Sequence, residues 1–239
     1  MISFIIPTLN EEAIIEKTIH SLLDYSGAKE IIVSDGGSSD KTIEIAKRQA
    51  DAVLIHQGNQ RQTIAAGRNF GAAAAQGEYL VFLDADILIP DQDAFFSKAR
   101  ELFRADARLV GLTVALRVFP ELETFWDKII FSFLNVAYFV FNNVWGIGAA
   151  SGEFQMIRKN NFKKIGGFNE RLVAGEDHDM FRRLSKIGKT YFERTLTVYH
   201  TGRRAHAIGW PKLLWIWAKD SISIFLKGKA ASKEWTEIR

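Results

Sequence analysis

The stretch Tyr79-Leu80-Val81-Phe82-Leu83-Asp84-Ala85-Asp86 decides the fold class. A short apolar run bounded by turn residues, here Gly77 and Pro90, is typical of a buried strand in a parallel sheet. In open α/β sheets, ligands bind beyond the carboxyl ends of such strands. We therefore expect Asp84 and Asp86 to lie at a ligand site.

Asp84 and Asp86 are one residue apart at the end of a strand, so both carboxylates can turn toward one point. Two hard oxygen ligands suit Mg²⁺ or Mn²⁺, with water and substrate phosphates completing the coordination. Solvated loop aspartates or helix caps are the alternative, because a lone Asp-x-Asp is common by chance. The neighbouring motifs decide between the two interpretations.

Composition narrows the classes of protein. The chain has 239 residues, 47% hydrophobic content, a net charge of +3 and no cysteine. One large α/β domain fits this length, and so mild a positive charge does not indicate nucleic-acid binding. Disulfides and cysteine-based zinc sites are excluded. The apolar N-terminus lacks a basic region and reaches proline at position 7, so we do not expect a signal peptide.

Strands and helices are expected to alternate through the first ninety residues. The predicted strands are 1–7, 30–34, 52–55 and 79–83, and the predicted helices are about 10–25, 41–49 and 61–76. Pro7 is expected to end the first strand, since proline cannot donate to a ladder, and Asn10 to cap the first helix. This alternation predicts a parallel, doubly wound, Rossmann-like half.

A turn at 35–40 contains two glycines, but it follows the second strand and lacks the Gly-x-Gly-x-x-Gly spacing. A nicotinamide cofactor is therefore not expected. An acid at the end of the second strand can still recognise a base or ribose.

The second half is predicted to mix strands and helices. Strands are expected at 109–119, 153–157 and 190–200, and helices at 91–104, 122–143, 159–165, 175–187 and 210–227.

Two of these helices are rich in aromatic residues. In 122–143, Ser132, Asn135 and Asn142 recur at helical spacing, which indicates an amphipathic helix that packs in the core, lies on a membrane surface or spans a membrane. In 210–227, tryptophans alternate with lysines, which suits either an interfacial helix or an ordinary basic surface helix.

Several motifs occur together in a fixed order. They are Pro7-Thr8-Leu9-Asn10-Glu11, Asp35, Gly67-Arg68-Asn69, Asp84-Ala85-Asp86 and Glu176-Asp177. With this order and spacing, residues 2–200 resemble a family 2 glycosyltransferase of the GT-A fold.

The resemblance implies an α/β fold with a Rossmann-like, mostly parallel central sheet and flanking helices, and the residue pattern at 210–227 adds a C-terminal amphipathic helix. It implies a single GT-A domain over 1–205, with a nucleotide-sugar-binding half at 1–90 and an acceptor-side half at 91–205. Residues 206–239 are then a basic, Trp-rich helical tail.

The resemblance also implies a nucleotide-sugar donor. Pro7, Thr8 and Glu11 would line the nucleotide pocket beside Asp35, which would accept a hydrogen bond from a base N–H such as that of uracil. This favours a UDP-sugar over a GDP-sugar. Arg68 would lie near the nucleotide or the metal-side carboxylates.

Reaction roles follow in the same way. Asp84 would contact ribose or the metal, Asp86 would bind Mn²⁺ or Mg²⁺ on the diphosphate, and Asp177 would be the general base of an inverting transfer. His200 is a candidate third metal ligand, although a lone histidine is more often structural. Arg203 either closes over the diphosphate or faces solvent.

The chain lacks the Gln-x-x-Arg-Trp motif of processive synthases, so transfer of a single sugar is expected. The acceptor is either lipid-linked at the membrane surface or soluble. We expect a cytoplasmic protein, which with a lipid-linked acceptor is peripheral on the inner face of the membrane. A sugar nucleotidylyltransferase is the remaining alternative, but those enzymes have a Gly-rich, basic segment where this chain has acidic residues.

Overall fold

A computed structural model describes residues 1–58, 61–227 and 229–232. Within these ranges the chain forms seven strands: β1 (Ile2–Thr8), β2 (Lys29–Asp35), β3 (Ala52–Ile55), β4 (Tyr79–Leu83), β5 (Leu109–Val118), β6 (Phe154–Arg158) and β7 (Lys189–His200). They pair into one sheet in the order β3-β2-β1-β4-β6-β5-β7.

Helices connect and flank these strands. They are α1 (Ile15–Leu23), α2 (Thr42–Ala46), α3 (Ile64–Ala74), α4 (Gln92–Ala105), α5 (Phe125–Phe139), α6 (Lys159–Lys164), α7 (Glu176–Ser185), α8 (Arg203–Ile208) and α9 (Trp210–Lys227). A π-helical turn, Val140–Val144, continues α5. The predicted α/β class with a mostly parallel sheet is confirmed.

The sheet is parallel except at β6. Strand β1 pairs in parallel with β2 and β4, and β2 with β3. β6 runs antiparallel to both β4 and β5, whereas β5 and β7 are parallel. The ends of β1, β2 and β4 therefore meet at one carboxyl edge, and the segment before β6 begins at the same edge.

Both faces of the central strands are buried. In β4, Val81 and Leu83 pack into the core on one face, whereas Leu80 and Phe82 pack into the core on the other. Strands covered on both faces need an uninterrupted apolar sequence. This requirement explains the run that precedes Asp84.

Two predictions about the N-terminal segment are wrong. Pro7 lies within β1, which continues to Thr8 in parallel register with β2. Helix α1 begins at Ile15, and Asn10 does not cap it. Asn10 instead adopts a left-handed conformation (φ 55°), and its Oδ1 accepts a hydrogen bond from the Ser39 backbone N–H. Local capping signals are outweighed here by pairing with the 35–40 turn.

The asparagines of α5 and of the π-helical turn after it point inward, opposite to where a surface helix would place them, whereas Ser132 is exposed. Asn135 Nδ2 donates to the backbone oxygen of Leu116 in β5, and Asn142 is buried and bonded to the backbone of Tyr138 and Ala149. Large apolar side chains face solvent, namely Leu122, Phe125, Trp126, Phe133, Val136, Val144 and Trp145. Across the described residues no helix is long and apolar enough to cross a membrane.

Helix α9 spans Trp210–Lys227 and packs on the main fold. The Trp210 indole Nε1 donates to the buried carboxylate of Asp127 in α5 (2.7 Å), and the Trp210 ring meets Phe131 edge-on. Residues 228 and 233–239 of the predicted tail lie outside the described residues.

The aromatic cluster beneath β1 gives a test of the core. Phe96 is fully buried against Phe4, Tyr25 and Phe154, whereas Phe133 is 72% exposed. We expect Phe96→Ala to lower the free energy of unfolding by about 3–5 kcal/mol, because it leaves a cavity. The matched change Phe133→Ala should cost less than about 0.5 kcal/mol. Urea unfolding of both variants checks this, and similar losses would contradict the assignment of α5's exposed face.

Candidate active site

The carboxyl edge of the sheet borders one large cavity of about 780 Å³. Segments after β1 and β4, the start of β6, the N-terminal turn of α7 and helices α8 and α9 all contribute to its wall. Its polar lining includes Thr8, Glu11, Arg68, Asp84, Asp86, Glu153, Glu176, Asp177, His200 and Arg203. Most residues predicted for the site are therefore brought together, although they come from distant parts of the chain.

Arg68 links the Asp-x-Asp segment to α7. Its guanidinium is almost fully buried, and it donates to Asp84 Oδ1 (3.0 Å), Glu176 Oε1 (2.8 Å) and the Gly152 backbone oxygen (3.0 Å). Of the two predicted surroundings of Arg68, the nucleotide or the Asp-x-Asp carboxylates, the structure places it against Asp84. Asp84 keeps Oδ2 without a hydrogen-bond partner in the described part of the chain.

Enclosure in the cavity alters the ionisation of Asp84. Burial raises the pKa of Asp84 to about 6; Arg68 opposes this rise, and the carboxylates of Glu153 and Asp86 add to it. Like charges held close together disfavour the ionised form. The group of acids therefore favours a bound cation.

Asp86 is nearly buried and is linked to the segment after β7. The Thr201 hydroxyl donates to Asp86 Oδ2, and the Arg203 Nε lies 3.5 Å from the same oxygen. Arg203 also makes a bidentate ion pair with Glu11, at 2.6 and 2.7 Å. Arg203 begins the short helix α8, and its side chain lines the cavity.

His200 lies in the cavity wall, but its tautomer does not suit a metal ligand. Its Nδ1 accepts a hydrogen bond from the Gly202 backbone N–H (3.2 Å), and its Nε2 is buried without a partner among the described residues. Burial lowers the pKa of His200, so the ring is neutral and the proton is on Nε2. Binding a metal through Nε2 would require the other tautomer and loss of the Gly202 bond.

The described part of the cavity offers a divalent ion two carboxylate ligands, but not a complete coordination shell. Asp84 and Asp86 provide hard carboxylate oxygens at one edge, while no group of three or more acidic or histidine side chains in the described ranges forms a ready cation site. Coordination by Asp84 and Asp86 would thus depend on oxygens from a bound diphosphate.

The nucleotide side differs from expectation at Asp35. This side chain is fully buried and does not line the cavity. Its oxygens accept hydrogen bonds from the Thr8 hydroxyl and from Gly37 and Ser38. A carboxylate accepts about four such bonds, so contact with a base would require the 36–38 turn to open. Pro7 and Thr8 line the cavity as predicted.

Asp177 lies in the first turn of α7 and lines the cavity. Its Oδ2 is 3.6 Å from the position that a Cβ on Gly152 would occupy, an ordinary contact, whereas Arg68 Nη2 is only 2.7 Å from that position and would have to move.

Sequence reasoning missed Glu153 and Glu176 as members of the site. Glu176 appeared only as the neighbour of Asp177, and Glu153 only as the start of a strand. The signal for Glu153 is the pairing of β6 with β4, which places it opposite Asp84. That pairing is antiparallel and long-range, so no local pattern reveals it.

Residues 3–166 match a family model described as Glycosyl transferase family 2. The chain belongs to this family. It is 29% identical over 224 residues to the succinoglycan biosynthesis protein ExoA of Rhizobium meliloti (strain 1021), covering 86% of this chain and 65% of ExoA. The chain thus spans less than two thirds of that relative's length.

Solved structures of similar fold confirm the GT-A class. One is the mannosyltransferase PcManGT from Pyrobaculum calidifontis, in complex with GDP-Man and Mn²⁺ (TM-score 0.68, 21% identity, 84% of this chain and 56% of that chain). Another is glucosyl-3-phosphoglycerate synthase from Mycobacterium tuberculosis, in complex with Mn²⁺, UDP and glucosyl-3-phosphoglycerate (TM-score 0.63, 20% identity, 97% of this chain and 81% of that chain).

Glu176 makes a prediction about pH possible. Burial raises the pKa of Glu176 to about 7, with Asp177 raising it further and Arg68 opposing the rise. Since the folded chain then binds a proton that the unfolded chain releases, the free energy of unfolding should fall as the pH rises from about 4.5 to about 7. Glu176→Gln, neutral at every pH and still able to accept from Arg68, should flatten this dependence.

Urea unfolding at several pH values between about 5 and about 8 measures the slope. Glu101→Gln, an exposed change on α4, should keep the wild-type slope. An unchanged slope in Glu176→Gln would refute the assignment.

Proposed function

We propose that this protein is a metal-dependent inverting glycosyltransferase that moves one sugar from a nucleoside-diphosphate sugar to a hydroxyl or phosphate of an acceptor. The observation that supports this most is that Asp84, Asp86 and Asp177 line one cavity. Transfer with inversion needs a cation site for the diphosphate and a carboxylate base on the opposite face of the sugar. The cavity has the residue types for both.

In the proposed reaction, the acceptor oxygen attacks the anomeric carbon from the face opposite the diphosphate. The bond between that carbon and the diphosphate oxygen breaks, and the nucleoside diphosphate leaves with the electron pair. Asp177 takes the acceptor proton when the acceptor is a hydroxyl. A divalent ion, held by Asp86 and Asp84, would neutralise the charge on the leaving group. His200 remains a weaker candidate for that role because of its tautomer.

Arg203 fits a second charge role on the donor. Its guanidinium lies between Glu11 and Asp86, and an arginine fork matches diphosphate oxygens. Glu11, Pro7 and Thr8 would contact the nucleoside. Asp35 is the basis for preferring UDP over GDP, provided that the 36–38 turn opens. The two solved neighbours were captured with different nucleotides, a guanosine and a uridine diphosphate.

Separate variants distinguish the metal role from the base role. We expect nucleoside-diphosphate binding to depend on Mn²⁺ or Mg²⁺ and Asp86→Ala to weaken it about 10-fold or more, since a charge-assisted ligand is lost. Asp177→Asn should keep donor binding and lower transfer by about 100-fold or more. Calorimetric titration of UDP and GDP, with and without Mn²⁺, and product assays measure these effects.

Asp24→Asn, on the exposed end of α1, is the matched control and should match wild type. Equal loss of binding and transfer in Asp177→Asn would contradict its assignment as the base. Release of pyrophosphate instead of a nucleoside diphosphate would indicate a nucleotidylyltransferase.

The acceptor is proposed to be lipid-linked, at the inner surface of the cytoplasmic membrane. Support comes from the solvent-facing apolar side chains of α5 and the turn after it, and from Trp215 and Ile222 of α9. Asp127 and Asp220, the acidic residues of these two helices, are both buried, so their charges do not repel anionic lipid at the exposed faces. Lysines 212 and 219 are exposed on α9. Exposed tryptophan beside lysine is typical of interfacial helices.

Vesicle sedimentation tests this acceptor side. We expect the protein to sediment with vesicles that contain phosphatidylglycerol, and the double change Phe133→Ser with Trp215→Ser to weaken binding about 10-fold or more, because apolar area no longer enters the lipid. Phe70→Ser, an exposed aromatic on α3, is the matched control. Wild-type protein that stays in the supernatant would favour a soluble acceptor.

A further inference from the structure

Glu153 is a half-buried carboxylate that lines the cavity. The proposed reaction gives it no role, either as a metal ligand or as the base. The other cavity acids have identifiable partners or roles. Glu176 and Asp84 are paired with Arg68, and Glu11 is paired with Arg203. Among the described residues, no ion pair involves Glu153.

The position of Glu153 follows from the sheet. Phe154 of β6 pairs with Leu83 of β4 in antiparallel register, so Glu153, one residue earlier, is across from Asp84 at the carboxyl edge. Because of this register, Glu153 lies next to the Asp84–Asp86 segment, which is proposed to hold the diphosphate.

The other neighbour of Glu153 is the base side of the cavity. Gly152 directly precedes Glu153. A Cβ placed on Gly152 would lie 3.6 Å from Asp177 Oδ2. Burial raises the pKa of Glu153, a hydrogen bond from its own backbone N–H opposes the rise, and the carboxylates of Asp177 and Asp86 add to it. Glu153 therefore lies between the proposed diphosphate side and the proposed base.

In an inverting transfer, the sugar ring occupies this intermediate space. Its anomeric carbon is bonded to the diphosphate on one face and is attacked on the other by the oxygen whose proton goes to Asp177. A carboxylate here has two oxygens that can accept from neighbouring hydroxyl groups of a pyranose. Such charge-assisted bonds are strong and depend on the direction of each hydroxyl.

We propose that Glu153 binds hydroxyl groups of the donor's sugar and thereby selects which nucleotide sugar the protein accepts. This inference rests on the proposed glycosyltransferase function. A site that pairs with a substrate hydroxyl discriminates strongly against an analogue in which that hydroxyl is absent or misplaced, because the protein group is left unpaired. Epimers that differ at one hydroxyl are consequently the informative ligands.

The experiment titrates wild type, Glu153→Gln and Glu153→Asp with UDP, GDP, UDP-glucose, UDP-galactose, UDP-N-acetylglucosamine and GDP-mannose, all with Mn²⁺. Both variants should bind the preferred nucleoside diphosphate within about twofold of wild type. They should bind the preferred nucleotide sugar about 10–100-fold more weakly, and the preference between the glucose and galactose donors should shrink. Glu121→Gln, an exposed change of the same kind, should behave as wild type.

Two results would overturn the inference. Equal weakening of the nucleoside diphosphate and its sugar conjugate would place Glu153 at the metal or nucleotide. Unchanged binding of every ligand, with only the transfer rate reduced, would make it part of the proton-transfer machinery. Failure of the proposed glycosyltransferase function gives a different result from either of these: wild type and Glu121→Gln would then bind no nucleotide. The inference about Glu153 would be overturned in that case too.

Discussion

The buried guanidinium of Arg68 connects the segments that form the cavity. It comes from α3 and bonds to the end of β4, the segment before β6 and the first turn of α7. These partners are 16, 84 and 108 residues away in sequence. Removing one partner of a buried ion pair leaves an uncompensated charge, which typically costs about 3–5 kcal/mol. The position of Asp177, next to Glu176, is consequently tied to the stability of the fold.

Excess negative charge is the second constraint on the cavity. Burial and mutual repulsion raise the pKa values of Asp84, Glu153 and Glu176 above those of free side chains. Arg68 and Arg203 offset part of this charge from within the protein. A diphosphate adds further negative charge, so a bound cation would favour its binding in such a cavity.

Helix α5 illustrates how tertiary contacts reverse a local pattern. Its asparagines satisfy backbone groups of β5 and of the segment before β6, where unpaired polar groups would be costly. Once that face points inward, Phe125, Trp126 and Phe133 on the other side of the helix face solvent. An amphipathic pattern identifies two faces, but it does not say which of them the protein covers. The exposed aromatic face is the basis for proposing a membrane-surface acceptor.

The sequence by itself determined the strands, the fold class and the position of Asp84 and Asp86 at the ligand edge of the sheet, whereas the grouping of Arg68 and Asp177 with them was implied by the family resemblance. Apolar runs that end in polar residues are local signals, and parallel strands place their carboxyl ends together. The tertiary structure alone decided the roles of Glu153, Asp35 and Asn135. Glu153 depends on the antiparallel insertion of β6, Asp35 on hydrogen bonds from Thr8 and the 36–38 turn, and Asn135 on the neighbouring strand β5. These are long-range pairings whose energy comes from burial and hydrogen bonding between distant segments, and no local pattern encodes them.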